Sequence, residues 1–112
     1  MTSPPTLVDL QLVAYNKQEL DDFLICYSED IEIYNFPDEL ICKGKEAMRN
    51  LYRISWNENP DQQATIINRI HIANTVIDQE HVTGRSNGVV LNVIAIYKIK
   101  NDKINKVYFV RE

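Results

Sequence analysis

Apolar positions follow two rhythms along this chain: three- and four-residue intervals near the N-terminus and around residues 44–57, and alternation elsewhere. Leu7, Leu10, Gln11, Ala14 and Tyr15 recur at helical spacing behind Ser3-Pro4-Pro5-Thr6. That lead is a helix-start signal, with a small capping residue ahead of prolines whose missing N–H costs nothing. Asn16-Lys17 breaks the pattern, and a short second helix follows with Leu20, Phe23, Leu24 and Tyr27 on one face. Glu29 to Phe36 alternates as a strand, Pro37-Asp38 turns the chain, and Leu40 to Lys43 reads as a short returning strand. Gly44 to Asn57 predicts a third helix with Met48, Leu51, Tyr52 and Ser55 near one face and Trp56 beside it, ended by Asn59-Pro60-Asp61.

Two hairpins complete the chain. Gln63–Ile72 and Thr75–Gly84 close around Ala73-Asn74, which sets Asn68 opposite Gln79, Ile66 opposite His81 and Arg69 opposite Asp78. The face carrying Ile66, Asn68, Ile70, Ile72, Ile77, Gln79, His81 and Thr83 is read as inward, and the Arg69, Asp78 and Glu80 face as solvated. Val89–Lys100 and Lys103–Arg111 close around Asn101-Asp102, a pair that tolerates the positive φ of a two-residue loop. Uninterrupted pairing from that loop places Ile96 opposite Val107, Ile94 opposite Phe109 and Asn92 opposite Arg111. Both faces of this ribbon are largely apolar, so each needs a cover: the chain's own helices on one side, a second subunit on the other. Tyr34, Phe36, Tyr97 and Tyr108 fall on the outer face and mark that interface. Helices followed by consecutive strands make an α+β sandwich.

The 112 residues are enough for one domain, 1–112, with a modest core. A net charge of −4 without any Lys/Arg cluster argues against a nucleic-acid surface. No apolar run approaches the ~20 residues of a membrane span. The N-terminal stretch lacks a signal-peptide pattern. Cys26 and Cys42 have neither metal-ligand nor CxxC spacing, which predicts free thiols in a reducing cytoplasm. Neither a metal-ligand spacing nor a phosphate-cradling glycine loop is present, so no cofactor is expected.

The strings LVAYNKQELDDFLICYSEDIEIYNFP, GKEAMRNLY, IANTVIDQEHVTG and AIYKIKNDKINKVYFVRE, in this order and spacing, resemble the nuclear-transport-factor-2-like superfamily. Within it they resemble the SnoaL-like proteins of polyketide-cyclase and steroid-isomerase type. The resemblance implies a cystatin-like cone: N-terminal helices packed on a strongly curved antiparallel sheet, a pocket at the open end, and a homodimer. Reactions do not follow from this scaffold, which hosts isomerases, dehydratases, cyclases and non-enzymatic modules. Ketosteroid isomerase uses an Asp base with Tyr and protonated Asp oxyanion donors. Those positions align with Asn35, Gln11 and Ile94 or Ala95, and none of these residues can take over the roles. Only Tyr52 matches a supporting pocket tyrosine. The Asp-Arg-Asp triad of limonene-epoxide hydrolase falls at Thr83, His81 and Phe109, and is equally absent.

The expected pocket wall carries Asn35, Asn68, Gln79, His81, Thr83, Asn92, Phe109 and Arg111, faced by Gln11, Tyr52 and Trp56. Buried polar groups of this number must pair, or bind water or a ligand, since each left alone costs about 1–3 kcal/mol. With an ordinary pKa near ~6.5, His81 is the one inward general base this reading supplies. Arg111 is placed to clamp a carboxylate, or to pair with a neighbouring acid. The expectation is a cytoplasmic homodimer that binds a small apolar or partly polar molecule in its cone. Any catalysis would be cofactor-free acid–base chemistry at His81. The alternative is a non-catalytic dimerisation module whose cone is filled by its own side chains.

Overall fold

The computed structural model describes residues 2–112. Helix α1, Pro4–Lys17, begins where the Ser3 side chain accepts the Thr6 N–H at 3.3 Å. It ends at Gln18, whose left-handed backbone returns its N–H to the Ala14 and Tyr15 carbonyls. Helix α2 is a single turn, Leu20–Leu24, and helix α3 spans Lys45–Glu58. Six strands follow the order of the chain: β1 Tyr27–Asn35, β2 Glu39–Lys43, β3 Gln63–Ile72, β4 Thr75–Thr83, β5 Leu91–Lys100 and β6 Lys103–Arg111. Tyr27, read above as part of the second helix, instead opens β1, and Val89 and Val90 lie ahead of β5.

The strands form one sheet in the order β2-β1-β6-β5-β4-β3, antiparallel apart from the β1–β6 pair. The helices lie across one face and seal the core. Val8, Phe23 and Leu24 from the helical side meet Ile31, Val76, Ala95, Ile104 and Val107 from the sheet. Phe23 sits at the centre of the aromatic packing, 4.8 Å from Tyr52, 5.0 Å from Tyr27 and 5.2 Å from Trp56 between ring centroids.

Two β-bulges decide which side chains reach this core, because one extra residue carries every later side chain to the other face. Near the first hairpin loop the predicted register holds, with Asn68 opposite Gln79 and Arg69 opposite Asp78. Beyond it Ile67 bulges out, so Ile66 pairs with Glu80 and Ala64 with Val82. In the terminal hairpin Ile99 pairs with Ile104 as predicted, then Asn105 bulges. Tyr97 thereby pairs with Val107, Ala95 with Phe109 and Val93 with Arg111. Tyr97 is therefore buried in the core, not on the outer face.

On β4 and on β3 up to the bulge the inward face is also the opposite of the one expected, whereas Ile66, beyond the bulge, pairs with buried Glu80 and keeps its expected inward place. Val76, Asp78, Glu80 and Val82 are buried, while Ile77, Gln79, His81 and Thr83 alternate toward the outside. Arg69 makes this arrangement tolerable. Its Nε and Nη2 donate to the two Asp78 carboxylate oxygens at 2.6 and 2.9 Å, and its Nη1 donates to Asp9 on α1 at 2.6 Å. Asp78 has no exposed surface, whereas Arg69 runs its stem along the core and keeps contact with solvent. The same guanidinium ties α1 to the β3–β4 hairpin.

Removing only the cation should leave a carboxylate buried and uncompensated. Arg69→Met is expected to cost about 3–5 kcal/mol in chemical denaturation, and Arg69→Met with Asp78→Leu to recover most of that loss.

Candidate functional site

The open end of the cone holds a cavity of about 370 Å³. Its apolar wall comes from Ile33 and Ile41 on β1 and β2, Val82 and Leu91 on the paired strands β4 and β5, and Phe109 on β6. The helices contribute Tyr15 from α1 and Leu51, Tyr52 and Ser55 from α3. The polar groups are few: the Tyr15 and Tyr52 hydroxyls, Ser55, Gln62, Glu80, Arg85 and Arg111.

Glu80 is the chemically unusual member. Only 7% of its surface is exposed, and its one close side-chain partner is neutral: the Tyr97 hydroxyl donates to its Oε2 at 3.1 Å. Burial drives its carboxyl up to about 7, against a smaller downward pull from the Tyr97 hydrogen bond; Asp78 adds to the rise and Arg69 opposes it. Tyr97 is held in turn by a dry network. The Gln11 Nε2 donates to its hydroxyl at 3.3 Å and to the Val8 carbonyl at 3.0 Å, and Tyr27 donates to the Gln11 Oε1 at 2.8 Å. Burial keeps the Tyr27 and Tyr97 hydroxyls far above their ordinary range, so these phenols remain donors.

Two tyrosines face the cavity from the helices, with ring centroids 6.3 Å apart in an edge arrangement. Burial raises both hydroxyls above the usual value; at Tyr15 the hydrogen bond from Gln62 partly offsets it. Gln62, itself buried, links Tyr15 to the rim, because its Oε1 accepts from Arg85 Nη1 at 2.7 Å. The loop bearing Arg85 rests on the 59–62 segment. Asn59 Oδ1 accepts the Ser86 N–H at 3.1 Å, and Gly84, at φ +76°, lies so close to Asp61 that an added Cβ would fall 2.0 Å from the Asp61 carbonyl oxygen. Only glycine fits both the backbone and that approach. On the other rim the Arg111 guanidinium stands 4.7 Å over the Phe109 ring and donates to Asn35 Oδ1 at 3.1 Å.

Of the residues singled out from the sequence, Tyr52, Phe109 and Arg111 line the cavity. Asn35 stands behind Arg111, and Gln11 stands behind Glu80 through Tyr97. Trp56 is buried among Tyr15, Phe23 and Tyr52, with its indole N–H unpartnered among the described residues. His81, Asn68, Gln79, Thr83 and Asn92 do not face the cone. They belong to the outward register of β3, β4 and β5, where His81 Nδ1 meets Asn92 Oδ1 at 3.1 Å on the exposed side. On β4 and the adjoining part of β3 the hairpin presents Asp78 and Arg69 inward, and on β5 the bulge at Asn105 sets Val93 and Ala95, not Asn92, beside the inward residues of β6.

Glu80, Tyr15, Gln62 and Arg85 were not singled out. One signal for Glu80 was present. Along β5 the face of Val93, Ala95, Tyr97 and Ile99 carries no charge, whereas the alternate face ends in Lys98 and Lys100. Taking the uncharged face as inward forces its partners Glu80, Asp78 and Val76 inward with it. Nothing comparable marks Gln62 or Arg85, which arrive from loops.

Helices laid over a curved six-stranded sheet, with a cavity at the open end, define the cystatin-like or nuclear-transport-factor-2-like class. A SnoaL-like domain model matches residues 9–107, and the chain belongs to that family. An uncharacterized cystatin-fold protein from Novosphingobium aromaticivorans is 25% identical and superposes with a TM-score of 0.91 over 99% of this chain and 100% of its own. A candidate polyketide cyclase from Sinorhizobium meliloti, 14% identical, gives 0.80 over 92% of each chain. A candidate ketosteroid isomerase from Kribbella flavida, also 14% identical, gives 0.82 over 97% of this chain and 77% of its own. No functionally curated protein matches the sequence significantly.

The Glu80 shift has a measurable consequence for stability. A carboxyl that binds its proton more tightly folded than unfolded contributes stability that is fully present below its ordinary value of 4.5 and lost as pH rises through about 7. The loss should be on the order of 3 kcal/mol between those limits. Glu80→Gln is expected to flatten this slope in denaturation curves, and Tyr97→Phe, which removes the hydrogen bond to the carboxylate, to move its midpoint higher still.

Proposed function

We propose that the cone is a small-molecule site and that Glu80 exchanges protons with the molecule it holds, making this a cofactor-independent acid–base enzyme. One observation carries the reading: a buried carboxyl in the cavity wall whose pKa stands near 7. Such a group is divided between its two protonation states at neutral pH. It can take a proton from a carbon acid and return it at another position, which is the proton balance of an isomerisation or cyclisation. Tyr15 and Tyr52 stay protonated and supply hydroxyl donors for an oxygen on which negative charge develops. His81, outward and bonded to Asn92, takes no part. The open cavity speaks against a cone filled by its own side chains, since Trp56 packs into the core and Phe109 forms one wall without closing it.

The outer sheet face supports a homodimer as part of the same reading. Ile77, Ile94, Ile96 and Val110 share that face with the Tyr34–Tyr108 stack, whose centroids lie 5.0 Å apart. Two buried, unpaired cysteines suit a cytoplasmic setting. No helix among the described residues is long and apolar enough to cross a membrane.

The chemistry is tested by following loss of the acidic C–H signals of small cyclic ketones, 2-tetralone first, in D₂O by proton NMR. The protein should accelerate exchange with a midpoint near pH 7, and Glu80→Gln should reduce the acceleration by about a hundredfold or more. Equal rates for the two proteins would end the assignment. Native mass spectrometry checks the interface: the wild type should appear as a dimer and Ile94→Lys as a monomer with unchanged far-ultraviolet circular dichroism.

A further inference from the structure

The rim of the cavity carries two cations, Arg85 and Arg111, without a carboxylate partner within 4.0 Å among the described residues. Arg85 lies two residues beyond the end of β4, and Arg111 ends β6 opposite Val93. Val82 on β4 pairs with Leu91 at the start of β5, so both arginines stand at the same open end of the sheet. Every guanidinium-to-carboxylate pair within 4.0 Å among the described residues involves Arg49 or Arg69. Arg85 and Arg111 are held instead by neutral amides, Gln62 and Asn35, each accepting one hydrogen bond. Amide anchors fix the direction of a guanidinium without cancelling its charge, and they leave most of its donors free. Phe109 supports the Arg111 plane from one side, leaving the guanidinium edge free to donate.

Between this rim and Glu80 the wall is apolar, formed by Val82, Leu91, Val93 and Phe109. An occupant satisfies all three zones only if it is amphipathic, with an anionic head at the rim and an apolar body reaching toward Glu80. We propose that the cavity binds a small carboxylate, its carboxyl group held by Arg85 and Arg111 and its ring or chain directed inward to Glu80. This rests on the acid–base reading above and names its substrate class. The planar, forked guanidinium matches a carboxylate with two parallel hydrogen bonds. A cavity of about 370 Å³ is at the small end of ligand pockets and suits a compact body. The arrangement also orients the substrate, because its charge is kept at the mouth and away from the carboxylate form of Glu80.

Isothermal titration calorimetry at neutral pH and low salt tests the proposal. The probes are benzoate, cyclohexanecarboxylate, hexanoate and indole-3-acetate, each beside its primary amide, with phenyl phosphate as a second anion. At least one carboxylate should bind about tenfold or more tightly than its amide, the ratio expected for a charge-assisted contact. Arg85→Met with Arg111→Met should remove that ratio, with carboxylate affinity falling about tenfold or more further than amide affinity. Arg111→Met alone, at the exposed chain end, should reduce the ratio and serves if the double variant does not fold. Equal affinities for acid and amide, no binding by any carboxylate at millimolar concentration, or tighter binding of phenyl phosphate would overturn it. Glu80→Gln separates this proposal from the one it rests on. It should abolish proton exchange while preserving or increasing the preference for the carboxylate. Preference without exchange in the wild type removes the enzyme and leaves the anion site; exchange without preference does the reverse.

Discussion

Two acids on one strand, Asp78 and Glu80, point into the core of this domain, and their different treatment shapes the rest of the structure. Asp78 is fully enclosed, and Arg69 meets both of its oxygens while reaching Asp9 on α1. That pair turns the β3–β4 hairpin toward the helices and holds it there. Glu80, two residues further along, makes no ion pair within 4.0 Å among the described residues and is met by the Tyr97 hydroxyl. Desolvation without a counter-ion makes the proton the cheapest partner. A structural ion pair and a carboxyl with a raised pKa thus arise from neighbouring inward positions on β4, divided by which one a guanidinium reaches.

The remaining polar groups follow a similar economy. Amides here serve mainly as supports for other polar groups: Gln11 and Asn35 stand behind the residues that reach the cavity, and Gln62, itself in the wall, ties two of them together. Gln11 orients Tyr97, Gln62 joins Tyr15 to Arg85, and Asn35 orients Arg111. The surface left to the cavity is mostly apolar, with an acid inside and guanidinium groups at the rim. Low polarity around a few oriented groups is the environment in which their electrostatics act most strongly.

Relatives with this architecture share the cone but little sequence, at 14% identity for the cyclase and isomerase candidates. Likeness at that level establishes the scaffold, while chemistry depends on which residues the sheet turns inward. The family resemblance sets Gln11 and Asn35 against the tyrosine and the base of ketosteroid isomerase. Their contacts make them supports for other groups, and the titrating carboxyl lies on a different strand.

Element types and their order were legible in the sequence because they rest on local rules: apolar spacing, the capped start at Ser3, and turn residues at both hairpins. The hairpin registers next to those turns were legible for the same reason, but not beyond the bulge at Asn105, where Phe109 and Arg111 pair with Ala95 and Val93 and not with Ile94 and Asn92. Which face of β4 lies inside was not. A strand with Val76, Asp78, Glu80 and Val82 on one side and Ile77, Gln79, His81 and Thr83 on the other offers no local reason to bury the carboxylates. The choice depends on Arg69 arriving from β3, on Asp9 arriving from α1, and on the uncharged face of β5 that pairs with them. The bulges at Ile67 and Asn105 are tertiary as well, since each is a mismatch between paired strands and not a property of either one. Local spacing determined helices packed on hairpin strands, and the family resemblance implied the cone; long-range pairing decided which residues line it, because side-chain direction in a sheet reverses with a single residue of register.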